Sequence, residues 1–96
     1  MLVLSRNDGE QFLFMSGERA RLVTVKIDED SVRWYRKAGQ RDVLVGVLEY
    51  AQDSTVINVT GFDVGVTLVK YRACDSATLG FEADRDDVQI RRAELL

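Results

Sequence analysis

Ninety-six residues suffice for one compact domain, and a chain of this length can bury roughly 60 to 70% of its unfolded surface without disulfides or metals. With 46% hydrophobic and 30% charged residues, the composition is that of a folded soluble domain and excludes a disordered segment. A formal net charge of -3 excludes a global basic field, so any binding to nucleic acid must rest on a local patch.

Short runs rich in β-branched and aromatic residues alternate with Asp, Gly, Ser and Asn clusters along the whole chain, which predicts an all-β fold. In chain order the expected strands are Met1 to Arg6, Gln11 to Met15, Arg19 to Ile27, Val32 to Arg36 and Val43 to Tyr50. Thr55 to Thr60, Val64 to Ala73, Thr78 to Ala83 and Asp87 to Leu95 follow. Turns are expected at Asn7-Asp8-Gly9, Asp28-Glu29-Asp30, Gly39-Gln40, Gly61 and Cys74-Asp75-Ser76, where residues bond their own backbone or tolerate unusual dihedrals. The third strand alternates most clearly: Val23, Val25 and Ile27 share one face, and Leu22, Thr24 and Lys26 the other. Trp34 and Tyr35 fall on opposite faces of the fourth, one for the core and one for the surface. At the carboxy terminus a helix competes with the strand, because Val88, Arg91, Arg92 and Leu95 also fit a helical face and acids precede them.

The chain has no histidine and one cysteine, which removes histidine bases, histidine triads and most zinc sites. The remaining carboxylates, such as Glu29 with Asp30 or Asp84 with Asp86 and Asp87, sit in turns where solvated acids are common, and no nucleophile-base pair can be named. The expectation is a protein that is not an enzyme, with no cofactor and no metal. Cys74 reads as a half-buried small apolar residue in its turn. With no export signal or long apolar run, a cytoplasmic location away from membranes is expected.

Sliding the chain by 45 residues sets Asp8 on Asp53, Asp30 on Asp75, Ser31 on Ser76, Ala38 on Ala83, Asp42 on Asp87, Val43 on Val88 and Glu49 on Glu94. Turns fall on turns, as an internal duplication with halves at approximately 1–48 and 49–96 would require.

The start, MLVLSRNDGEQFLF, and the end, VTLVKYRACDSATLGFEADRDDVQIRRAEL, together resemble the carbon storage regulator (CsrA/RsmA) family over a little under half the chain. Met1-Leu2-Val3-Leu4-Ser5-Arg6 with Gly9-Glu10 match the opening pattern of that family. Leu79-Gly80-Phe81-Glu82-Ala83-Asp84 and Val88-Gln89-Ile90-Arg91-Arg92-Ala93-Glu94-Leu95 match its close. The resemblance implies a small RNA-binding post-transcriptional regulator. Two intertwined five-stranded subunits would place the first strand of one beside the fifth strand of the other, and that pairing would bind a G-G-A core in a messenger RNA loop and repress translation. It also implies the site residues Leu4, Arg6, Ile90 and Arg92, with the backbone at Ala83 and Asp84 reading bases. Arg91 would point to the other face, towards a phosphate or the nearby acids. Guanidinium groups suit such loops because they bond and stack against exposed bases and phosphates. On the residues alone, Arg6 and Arg92 equally suit solvated strand ends that blunt an edge or pair with Glu94.

This chain departs from the pattern by carrying extra strands between its matching ends, so it resembles two subunits fused into a single-chain pseudo-dimer, a monomer in solution. The alternative is one unit with an insertion from about Ser16 to Phe62, which would form a homodimer. In the fused arrangement only one RNA site is complete, because the shifts of Arg92 and Arg6 by 45 land on Val47 and Ala51. Asn7 and Asp84 also depart from the pattern, and with Asp86 and Asp87 they predict few neutralised phosphates and a shallow salt dependence. The expected partners are messenger RNA or a small regulatory RNA, with a sequestering protein as a further one. The second reading is a degenerate module of the same fold that binds proteins and no RNA.

Overall fold

The computed structural model describes residues 2–59, 61–83 and 88–92, with the backbone alone at Phe62 and Arg92. Nine strands cover them: β1 (Leu2–Asn7), β2 (Gln11–Ser16), β3 (Arg19–Ile27), β4 (Ser31–Ala38), β5 (Arg41–Glu49), β6 (Ser54–Val59), β7 (Phe62–Arg72), β8 (Ser76–Ala83) and β9 (Val88–Arg92). Each lies within a few residues of its expected position, because alternation and turn chemistry act locally. In β3, Val23, Val25 and Ile27 are buried and Lys26 is exposed. Val88–Arg92 is a strand paired with β2, so the competing helix does not form there. The expected strand ends at Met1, Thr60, Asp87 and residues 93–95 lie outside the described residues, as does the site residue Asp84.

The strands form two antiparallel sheets, one of four in the order β1-β8-β7-β6 and one of five in the order β5-β4-β3-β2-β9. Consecutive hairpins build the middle of each sheet, and the outer strands are exchanged between the halves of the chain. β1 leaves the first half to flank β8, and β9 leaves the second half to flank β2. The expected pairing of the first strand with the last is therefore not made: Leu2–Asn7 face Ser76–Phe81, whereas Val88–Arg92 face Phe12–Ser16. β8 and β2 already satisfy the edges that β1 and β9 would otherwise offer each other. β5 packs against β6 and joins the sheets at one margin, which leaves β1 and β9 as the outer strands of the other.

The core lies between the sheets. Phe12 and Phe14 of β2 meet Phe81 of β8 edge to face, with ring centroids 5.1 and 6.1 Å from that of Phe81. Trp34 is fully buried and Tyr35 half-buried, which settles the expected division between them. Among the described residues the Trp34 indole N–H finds no hydrogen-bond acceptor. β5 carries a bulge at Val45, with Leu44 opposite Tyr35 and Gly46 opposite Trp34. A Cβ at Gly46 would overlap the buried side chain of Ile57, so glycine is what lets β5 close on β6. Cys74, expected to be half-buried, is instead exposed at the β7–β8 turn with φ of 62°, the left-handed backbone that closes this turn.

Candidate nucleic-acid interface

Period-two geometry turns Leu2, Leu4 and Arg6 of β1 towards the core and Val3, Ser5 and Asn7 outwards. Leu4 is half-buried against the core, whereas Arg6 is only 3% exposed, so its guanidinium is held inside the protein. Nε donates to the Ser5 carbonyl at 2.9 Å, Nη1 to the Gln11 carbonyl at 3.2 Å, and Nη2 lies 3.5 Å from the Glu10 carboxylate. Its Cζ also sits 5.9 Å from the centre of the Phe12 ring.

The following turn is built around this cation. The Glu10 carboxylate accepts from the Asn7 N–H at 2.6 Å, Asp8 Oδ1 accepts from the Ile27 N–H, and Gly9 adopts φ of 85° while its N–H donates to Val25. The Arg-x-x-Gly-Glu part of the opening pattern is thus a structural corner between β1 and β2. Arg6, expected as a charged RNA contact, is buried, with Glu10, Ser5 and Gln11 among its partners.

At the same margin, β9 lies beside β2. Val88 and Ile90 are half-buried against the core, and Arg91 is exposed with Nη2 donating to Gln89 Oε1 at 2.9 Å. The backbone of Arg92 stands opposite Phe12, the residue whose ring lies under Arg6. Ala83, half-buried, ends β8 opposite Val64. β1, carrying Leu4, and β9, carrying Ile90 and Arg91, are thus the outer strands of their sheets, with Ile90 turned to the core and Arg91 to the other face, Arg6 beneath the surface and Ala83 at the end of β8.

Arg6 stands opposite Ala77. Ala51, where the shift of Arg6 by 45 residues lands, is exposed in the turn after β5. Val47, the expected counterpart of Arg92, is half-buried in β5 opposite Arg33.

Sequence reasoning missed a second cationic group, Arg19, Arg21 and Arg36, which lines a cleft with Asn58 and Gly61. Its only sequence signal is the two-residue spacing of Arg19 and Arg21, since the approach of Arg36 depends on hairpin register. Among the described residues no group of three or more His, Cys, Asp or Glu could hold a metal ion, and no helix is long and apolar enough to cross a membrane. Neither a family model, nor a curated protein, nor a solved structure matches this chain.

Proposed function

We propose that this chain is an RNA-binding translational regulator of carbon-storage-regulator type, in which two fused halves rebuild the intertwined pair of subunits within one chain. The exchange of β1 and β9 between the halves carries this reading. Under it, β5-β4-β3-β2 and β1-β8-β7-β6 are the same run of four strands, used once in each sheet. The fusion makes the protein a functional monomer and leaves one complete site, at the margin of β1 and β9. Its partner is a G-G-A-bearing loop of a messenger or small regulatory RNA, and with messenger RNA as partner its place of action is the cytoplasm. The module needs no cofactor and catalyses no reaction.

In this reading Arg92 supplies the main cationic contact, Arg91 meets a phosphate from the other face of β9, Leu4 and Ile90 form the apolar floor, and the chain at Ala83 and Asp84 reads base edges through its backbone. Arg6 acts as a positioning residue, fixing the corner between β1 and β2. Replacing Arg91 or Arg92 by Ala is expected to weaken hairpin binding by about 1–3 kcal/mol each. Val47→Ala, in the position without arginines, lowers stability and leaves RNA affinity unchanged. Equal affinity for wild type and both arginine variants, measured by fluorescence anisotropy, rejects the site.

One observation favours a second reading, a protein-binding module. β1 is an edge strand, and its Leu2 and Val3 are 41% and 49% exposed. An extended segment of a partner could add to this edge through main-chain hydrogen bonds. Under that reading Val3→Lys blocks the partner, while G-G-A and scrambled hairpins bind alike.

A further inference from the structure

Arg19 and Arg21 lie two residues apart on β3, on the face that buries Val23, Val25 and Ile27, but beyond the end of the core where both are exposed. Arg36 of β4 stands opposite Val23, so it is the diagonal neighbour of Arg21 across the β3–β4 ladder, a separation of about 7–8 Å between backbones. The opposing sheet contributes Asn58 of β6 and Gly61 of the β6–β7 turn, and a cleft of about 380 Å³ opens between them. Arg36 is half-buried in it.

Arg21 Nη1 donates to the Ala20 carbonyl, and among the described residues none of the three arginines forms an ion pair. Among the described residues nearby acids are few: Asp63 accepts from the Asn58 amide at 3.0 Å, and Glu18 precedes Arg19 in the β2–β3 turn. Like charges on neighbouring strands repel, so the arrangement is unfavourable while empty and is relieved by a compact anion of more than one charge. Guanidinium forks match the oxygens of a phosphate, and a phosphate monoester carries about −1.5 to −2 at neutral pH. A single carboxylate would leave most of this charge uncompensated.

We propose that the Arg19–Arg21–Arg36 cleft is a phosphate-binding site, separate from the margin of β1 and β9. Its ligand is a phosphate group, supplied either by a nucleic-acid backbone or by a small phosphorylated molecule.

The test titrates the full chain by calorimetry and thermal shift with inorganic pyrophosphate in one arm and oligouridylate, which has no G-G-A, in the other. Saturable binding at one site per chain with a raised Tm is expected in at least one arm, and Arg21→Gln and Arg36→Gln each lose about tenfold or more. Arg36→Lys keeps the charge and recovers part of the affinity, and Lys26→Gln, at an exposed cation outside both sites, leaves it unchanged. Tighter binding of oligouridylate assigns the phosphate to a nucleic-acid backbone, and tighter binding of pyrophosphate to a small molecule. Because Arg21 is exposed, its variant folds and reports even if Arg36→Gln does not. No saturable binding in either arm, or binding unaltered by Arg21→Gln, overturns the proposal. Loss of hairpin recognition in Arg91 or Arg92 variants alone bears on the β1–β9 margin and not on this cleft.

Discussion

Arg6 is buried in β1, and its stability role follows from what it touches. Arg6→Ala removes its contacts with Ser5, Gln11 and Glu10 and leaves a cavity beside Phe12, so a loss of about 1–3 kcal/mol is expected in urea denaturation. Arg6→Leu refills the volume and loses less. Tyr50 gives a pH prediction. Its ring stacks on Tyr71 at 3.9 Å, its hydroxyl donates to the Asp28 carbonyl at 2.7 Å, and burial, followed by Cys74 and Asp28, raises its pKa above 10.0. The folded state therefore favours the neutral phenol. That contribution is complete below the ordinary tyrosine value and is lost as pH rises through the higher folded value. Stability should fall above about pH 10, and Tyr50→Phe should show a smaller fall over the same range.

At the scale of elements, the close approach of β5 to β6 depends on one missing side chain. Gly46→Ala drives a Cβ into buried Ile57 and should cost about 1–3 kcal/mol by denaturant unfolding; because the overlap is with Cγ2 of Ile57, the pair Gly46→Ala with Ile57→Ala should cost less than the sum of the two single changes. Strand positions were legible because alternation such as Val23-Val25-Ile27 and turn residues such as Gly9 and Gly61 act within a few residues. Sheet neighbours were not. The contact of β1 with β8 joins residues more than 60 apart, and no local pattern encodes which of two edges an outer strand will take. The burial of Arg6 was hidden for a related reason: its type suggests a surface, and partners such as the Glu10 carboxylate and the Ser5 and Gln11 carbonyls make an inner position tolerable. The cationic cleft escaped because Arg36 meets Arg21 only through the β3–β4 register.

For the whole molecule, strand exchange makes each half depend on the other. A chain cut in the exposed turn at Gln52–Asp53 should yield two fragments that are unfolded alone and recover β-sheet circular dichroism when mixed. Folding of either fragment by itself would show that the exchange is dispensable. Under the proposed function the acidic total charge leaves RNA contacts to a few local arginines, so the salt dependence of binding should be shallow, with a slope near that of two or three phosphates. Analytical ultracentrifugation should find one chain per particle, as a fused pair of subunits requires. The most direct measurement is a calorimetric titration of the intact protein with a short RNA hairpin bearing G-G-A in its loop, beside the same stem with a scrambled loop. Loop-dependent binding of one hairpin per chain, weakened in Arg91→Ala and Arg92→Ala, is the expected result; equal binding or no binding of the two hairpins contradicts the account.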